Sequence, residues 1–72
     1  MNSTVNLLDL VALTEDLPEH DLLGGQVGTV VEFLTSGVYE VEFSDDAGRA
    51  YATAAVRENQ LILLRIRPVK AA

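Results

Sequence analysis

Residues 38–43, VYEVEF, constrain the fold most, because their apolar and polar side chains alternate without a break. This period of two is typical of a β-strand with one buried face and one face in solvent. Glu40 and Glu42 would lie on the solvent face, and the apolar side chains that would share the buried face are Tyr39, Val41 and Phe43. The next six residues, SDDAGR (44–49), place aspartates early and Gly48 where a positive φ is needed, which indicates a hairpin turn.

Three further segments have the β-branched or alternating residues of strands, and turn signals separate them. They are VGTVVEFL (27–34), AYATAAV (50–56) and LILLRIR (61–67). RENQ, residues 57–60, is too short for an α-helix and predicts a single 3₁₀ turn before the last strand.

The segment LLDLVAL, residues 7–13, is compatible with two structures. Its alternation permits a strand, and a helical turn capped by Asn6 fits as well. We favour a strand near residues 10–14, preceded by a short turn. The following EDLPEHDLLGG (15–25) contains Pro18, four acids and two glycines, and predicts a long, irregular, acidic loop.

The order of these elements is that of a small SH3-like barrel with five strands, a long loop after the first strand and a 3₁₀ turn before the last. The predicted fold class is therefore all-β, with a closed or nearly closed sheet that buries its edge strands. One domain is expected over residues 7–67, with tails at 1–6 and 68–72. The expected core consists of Tyr39, Val41, Phe43, either Val30 or Val31, Ala52, Ile62 and Leu64.

The composition excludes several kinds of site. The chain has 72 residues, no cysteine and one histidine, His20, so it can form neither a disulfide nor a thiolate zinc site. We predict no cofactor, no metal and no catalytic residue. His20 is expected to be an exposed loop residue, Asp45 and Asp46 to serve turn chemistry, and Glu40 with Glu42 to form a solvated strand face. No apolar run is long enough for a membrane span and no basic signal region precedes one, which favours the cytoplasm.

The charge is strongly asymmetric along the chain. Residues 1–60 hold all eleven acids and two arginines, a net charge of −9, whereas residues 61–72 hold three basic residues and no acid. An acidic body repels nucleic-acid phosphates and suits a basic protein partner. An apolar fraction of 49% also leaves side chains for a contact with another chain.

The stretch GGQVGTVVEF, residues 24–33, has three interpretations. A phosphate-binding loop is disfavoured because a strand follows the glycines and no lysine accompanies them. Residues 25–31 resemble the short KOW motif of ribosomal proteins and transcription factors, but acids flank them where RNA binding needs basic residues. We favour a structural role, with positive φ at Gly24 and Gly25 and a bulge or close backbone approach at Gly28.

Two features of the later strands indicate surfaces. Tyr51, among small residues, fits an exposed contact anchor or a core position with its hydroxyl at the rim. In the last strand, Leu61 and Leu63 form a stripe with Arg65 and Arg67 that fits an oligomer interface. The same stripe could instead pair with the acids of the sheet, which are Glu32, Glu40 and Glu42.

Residues 7–64 also resemble a small bacterial family, the domain of unknown function 4926. The shared pattern is L-x-D-x-V-A-L, D-x-P, G-x-x-G-T-V-V, Y-E-V-E-F, a D/G turn and a terminal Q-L, and the fourth strand departs from it by being alanine-rich. The resemblance implies the SH3-like fold and no assigned activity. The matching residues are Leu7, Asp9, Val11, Ala12, Leu13, Asp16, Pro18, Gly25, Gly28, Thr29, Val30, Val31, Tyr39, Glu40, Val41, Glu42, Phe43, Gly48, Gln60 and Leu61.

The preferred hypothesis is a non-enzymatic protein-binding module that holds a basic partner or a second copy of itself. An antitoxin or immunity protein that covers the basic site of a toxin is a specific form of it. The alternative is a KOW-like RNA or ribosome contact through residues 25–28, helped by Arg65, Arg67 and Lys70. In the preferred hypothesis the partner-binding residues are Glu15, Asp16, Glu19, Asp21, Tyr51, Arg65 and Arg67.

Overall fold

A computed structural model of the chain describes residues 5–64. Three predicted features lie outside that range. They are the extension of the last strand to residue 67, the tail residues 1–4 and 68–72, and the basic residues Arg65, Arg67 and Lys70. Each predicted strand is found close to its expected bounds. The strands are β1 (Leu10–Leu13), β2 (Val27–Thr35), β3 (Val38–Ser44), β4 (Ala50–Arg57) and β5 (Leu61–Leu64).

The chain folds as all-β, as predicted, and its sheet is antiparallel throughout. The strand order is β4-β3-β2-β1-β5, so β4 and β5 are the two edges. The expected barrel closure does not occur, because no ladder joins these two edges within residues 5–64. The 3₁₀ turn Glu58–Gln60 connects them, but its backbone is bonded elsewhere: Glu58 N–H donates to Gly37 O at 2.8 Å, and Gln60 O accepts from Thr14 N–H at 3.0 Å. The turn therefore redirects the chain instead of forming a β4–β5 hairpin.

The ambiguous segment before β1 is a turn followed by a strand, which was the favoured alternative. Asn6 does not cap a helix: its N–H donates to Asp9 Oδ2 at 2.8 Å, and its carbonyl accepts from Asp9 N–H at 3.2 Å. Leu8, in this turn, has a φ of 71°. The chain becomes extended only at Leu10, where pairing with β2 and β5 begins.

Strand β2 contains two bulges, which set the register of the sheet. Val30 pairs with Val41, but the next pair is Glu32 with Glu40, so Val31 is an extra residue. A second shift follows between Phe33 and Thr35. Bulges bend a strand and increase its twist. The first residues of β2, Val27 to Thr29, pair with β1, and the bulged second half continues beyond that pairing.

The core lies on one face of this sheet and consists of ten buried apolar side chains. Predicted members Tyr39, Val41 and Phe43 are among them, and Val30 is buried where Val31 is not. Ala52 was also predicted to lie in the core; it is partly buried and packs against the cluster. The complete set is Val11, Leu13, Leu17, Leu22, Val30, Tyr39, Val41, Phe43, Ala54 and Val56.

The prediction for the inner face of β5 was wrong. Ile62 is 55% exposed and Leu64 is not among the side chains packed on the core; Leu61 and Leu63 pack there in their place. The reason is register: β1 residues Val11 and Leu13 point into the core and lie opposite Leu63 and Leu61. Directly opposite residues of an antiparallel pair share a face, so β1 decides which residues of the apolar strand β5 turn inward.

The acidic loop is more ordered than its composition indicated. Leu17 and Leu22 are both buried and form a two-way backbone bridge, with N···O distances of 2.8 and 3.2 Å. Between them lies a second 3₁₀ turn, Pro18–His20, which was not predicted from the sequence. Proline suits the first position of such a turn because its ring presets φ and its missing N–H has no partner there. The two leucines anchor the loop to the core.

Candidate protein-binding surface

The glycines of residues 24–28 have structural causes. Gly25 has a φ of 91°, as expected, whereas Gly24 has no positive φ and instead lies against the backbone of Glu15. A Cβ at Gly28 would lie 2.6 Å from Val41 Cγ1 and 2.9 Å from the Glu42 carbonyl oxygen. The close approach predicted at Gly28 is therefore confirmed, and it is an approach to strand β3.

Two of the four predicted loop acids have partners within the chain. Asp16 Oδ1 accepts a hydrogen bond from Gly24 N–H at 2.8 Å, which closes the loop on itself. Glu15 Oε2 accepts from Gln60 Nε2 at 3.2 Å and links the loop to the turn before β5. These two carboxylates accept hydrogen bonds that stabilise the fold, which lowers their availability to a partner.

The other two loop acids, Glu19 and Asp21, are exposed on and just after the 3₁₀ turn Pro18–His20. Asp21 has a φ of 58°, and its N–H donates to Pro18 O at 3.1 Å. His20 is exposed between them, as predicted. All four loop acids are exposed, and Glu19 and Asp21 differ from Glu15 and Asp16 in that their carboxylates accept no hydrogen bond within residues 5–64.

Tyr51 is exposed, which excludes a core position and leaves its role as a contact anchor a prediction. Its side chain is 50% accessible, and its hydroxyl accepts a hydrogen bond from Gln26 Nε2 at 2.8 Å. Gln26 Oε1 also accepts from Leu23 N–H, so this side chain joins β4 to the end of the acidic loop. The structure thus brings Tyr51 next to the end of the loop through Gln26, which lies 25 positions earlier in the sequence.

Three glutamates share the outer face of β2 and β3; we call them the acidic strand face. Glu32 lies directly opposite Glu40, and Glu42 follows two residues further along β3. Like charges placed directly opposite destabilise a sheet. The salt bridge found within residues 5–64 joins Arg49 Nε to Asp45 Oδ2 at 3.8 Å and involves none of these glutamates. Their repulsion is therefore not offset by an arginine or lysine of the described region.

The alternation in β3 predicts a solvated face at Glu40 and Glu42, but it does not place Glu32 opposite Glu40. That pairing depends on the bulge at Val31, which shifts the register by one residue. Without the bulge, strict pairing would have set Val31 opposite Glu40. No local signal in the sequence marks this shift, since Val30 and Val31 are both β-branched strand formers.

The acids of the hairpin turn serve that turn, as predicted. Asp45 Oδ1 accepts from Ala47 N–H and from Arg49 N–H, both at 2.9 Å. Gly48 has the expected positive φ, 82°. In the described part of the chain, no three or more histidine, cysteine, aspartate or glutamate side chains are arranged to hold a metal ion. Residues 5–64 also contain no helix that could cross a membrane.

An apolar cavity of about 340 Å³, which was not predicted, opens beside the second half of β2. The rings of Phe33 and Tyr39 meet edge to face there, with centroids 5.5 Å apart. Among the described lining residues, the polar side chains carry hydroxyl groups and none is an acid or a base. Its lining residues are Val5, Phe33, Thr35, Ser36, Gly37 and Tyr39.

Comparison with known families identifies the chain. A family model described as a domain of unknown function, DUF4926, matches residues 7–63. The chain belongs to this family. The match extends from the turn before β1 to the third residue of β5, and so includes the acidic strand face, the loop and the whole of β4. Searches of curated proteins and of solved structures gave no match.

Proposed function

We propose that this DUF4926 domain is a non-enzymatic protein-interaction module whose acidic surface holds a basic protein partner. The observation that supports the proposal is the acidic strand face, where Glu32 and Glu40 oppose each other without a described cation. Such an arrangement costs stability in the free protein, and a basic partner would relieve that cost on binding.

The rest of the described surface is consistent with this role. Residues 5–64 contain eleven acids and two arginines, so they attract a basic partner from a distance as well as at contact. Large apolar side chains are also exposed, including Phe33, Leu34 and Tyr51. Exposed apolar groups near charge are typical of protein contacts. An antitoxin or immunity protein that covers a basic site is one form such a module takes.

The test compares three variants that each remove two negative charges. Glu40→Gln with Glu42→Gln neutralises the acidic strand face, Glu19→Gln with Asp21→Asn neutralises the loop, and the control Asp46→Asn with Glu58→Gln neutralises exposed acids of two turns. Asparagine is chosen at position 21 because it tolerates the positive φ found there.

Each tagged full-length variant is incubated with lysate of the source cells, with and without nuclease and at low and high salt. Retained proteins are quantified by mass spectrometry. We expect one stoichiometric basic protein that the wild type and the control variant retain equally, that the strand-face variant loses, and that high salt releases.

The contradicting results are equally specific. Retention that is unchanged in both the strand-face and the loop variant would rule out binding through charge. Retention that nuclease abolishes would support the KOW-like RNA alternative instead. Loss in the loop variant alone would move the contact from the strand face to Glu19 and Asp21.

A further inference from the structure

Strand β4 leaves one side of its backbone open. Within residues 5–64 it pairs with β3 along Ala50–Arg57 and with no strand on its other side. It has eight residues, from Ala50 to Arg57. An unpaired strand of this length is a template on which another extended chain can add.

Two hydrogen bonds show which backbone groups face the open side. Glu58 N–H donates to Gly37 O, toward β3, whereas Arg57 N–H donates to Gln60 Oε1 at 2.9 Å, away from β3. Because the N–H and C=O groups of a strand alternate sides residue by residue, those of Ala55 and Thr53 point the same way as those of Arg57. The Gln60 side chain satisfies Arg57 N–H, and no described residue caps Ala55 or Thr53 in the same way.

The usual devices that prevent edge pairing are missing from the middle of β4, between the bulge at Tyr51 and the charged Arg57. Proline, charged side chains and bulges block such pairing in natural sheets. Positions 50–56, AYATAAV, contain no proline and no charge. The register shift of the β3–β4 pair lies at Phe43/Ser44, before residue 52, so the ladder is regular from Ala52 to Arg57.

Charge complementarity determines what fits this edge. On the outer face, Ala55 lies opposite Glu40 and Thr53 lies opposite Glu42. A strand added beside β4 would be two strand spacings from β3, about 10 Å. Long basic side chains on its outer face could therefore cross the small Ala55 and Thr53 toward the two carboxylates. A second copy of β4 would bring a single charged residue, Arg57, on a body with a net charge of −6.

We propose that the open edge of β4 accepts an extended basic segment of a partner protein as an added strand. Arginine or lysine at every second position of the segment lies over Ala55 and Thr53 and pairs with Glu40 and Glu42, while the backbone bonds to the outward N–H and C=O groups. The inference that the partner is basic rests on the proposed function above, whereas the inference that it binds at the edge of β4 does not.

The test uses the wild-type protein and a synthetic peptide, acetyl-Thr-Arg-Val-Arg-Val-Arg-Thr-amide, followed by fluorescence anisotropy and by amide chemical shifts in NMR. In the proposed geometry the arginine N–H groups face β4 and the valine N–H groups face away. N-methylation of the arginines should therefore weaken binding at least tenfold, whereas N-methylation of the valines should change it less than threefold. Shifts should concentrate on residues 51–57.

A protein variant tests the same edge from the other side. Ala55→Pro removes an outward-facing N–H, a position at which sheets tolerate proline, so the β3–β4 ladder should persist. We expect at least a tenfold loss of peptide affinity relative to the control Ala55→Ser, which keeps the N–H. Should Ala55→Pro fail to fold, the N-methylated peptides decide the question with the wild-type protein alone.

The outcomes separate this proposal from the proposed function. If both N-methylated peptides bind as well as the parent, or if the parent peptide does not bind at low salt, strand addition is wrong. A strand-face variant that still loses its basic protein from lysate would then leave the proposed function intact. A concentration-dependent dimer that Ala55→Pro disrupts, without peptide binding, would make a second copy the occupant and overturn the choice of a basic segment.

Discussion

Replacing Gly28 by alanine tests the packing on which the sheet depends. Gly28 is buried in β2 opposite Phe43. The added Cβ would lie 2.6 Å from Val41 Cγ1, 2.9 Å from Glu42 O and 3.0 Å from Phe43 Cδ2. Carbon atoms in contact normally lie about 3.5–4.0 Å apart, so the overlap with Val41 alone is about 1 Å.

The size of the effect follows from what can move. The valine methyl group could rotate away only into a core that is already filled, and the Glu42 carbonyl belongs to the β2–β3 ladder. Overpacking usually costs about 1–3 kcal/mol, and with backbone as one of the neighbours we expect the upper end, about 3 kcal/mol. A domain of this length has a total free energy of unfolding of about 4–11 kcal/mol, so the loss is a large fraction of it.

The matched control is Gly25→Ala. A Cβ at Gly25 would meet nothing within 4 Å, but its φ of 91° is unfavourable for alanine. That conformational strain costs about 1–2 kcal/mol, without any steric overlap. The two substitutions are chemically identical and lie three residues apart, so their difference isolates the close approach of β2 to β3.

The assay is urea unfolding of the full chain, followed by circular dichroism in the far ultraviolet. Midpoints and slopes give the free energy of unfolding for the wild type and both variants. A Gly28→Ala cost within about 0.5 kcal/mol of zero, or no larger than that of Gly25→Ala, would show that β2 and β3 do not pack as described.

Five further substitutions test the core and the turns by the same unfolding assay. Leu63→Ala should reduce the free energy of unfolding by about 1–3 kcal/mol and Ile62→Ala by less than 1 kcal/mol, because Leu63 packs on the core and Ile62 is exposed. The reverse order would mean that Ile62 lies on the buried face of β5, as first expected from the sequence. Leu22→Ala should cost about 2–5 kcal/mol despite its place in a loop, since Leu22 is 1% exposed, and a cost below 1 kcal/mol would mean that the loop is not anchored. Asp45→Ala removes the acceptor of two backbone N–H groups in the hairpin turn and should cost about 1 kcal/mol, whereas Asp46→Ala should be neutral within about 0.5 kcal/mol.

Neutralising Glu40 should not weaken the fold. It faces Glu32 across the ladder, so Glu40→Gln removes a repulsion and should leave the free energy of unfolding unchanged or raise it by a few tenths of a kcal/mol. This expectation matters for the binding test, because loss of a partner from a variant of equal or greater stability cannot be attributed to unfolding.

Local patterns in the sequence predicted much of the fold. The alternation in β3, the aspartate and glycine of the hairpin turn and the single 3₁₀ turn before β5 were all found where expected. These features arise from backbone preferences of neighbouring residues, which a short segment already contains. The close approach at Gly28 was also predicted, because a glycine inside a strand has few other causes.

The candidate surface was predicted less completely. Tyr51 and the loop acids were singled out from the sequence, but Glu15 and Asp16 proved to be bonded within the fold. Neither the Glu32–Glu40 pair nor the open edge of β4 was predicted. Both depend on how strands pair, which composition and alternation do not specify.

By itself, then, the sequence of this protein determined its fold class, the positions of its strands and the acidity of its surface, since each depends on residue type and on short-range order. Only the tertiary structure decided which face of β5 is buried, that Leu17 and Leu22 close the loop, and that β4 and β5 remain separate edges. The face of β5 illustrates the physical reason: four consecutive apolar residues have no period of their own, so the register with β1 selects the two that turn inward.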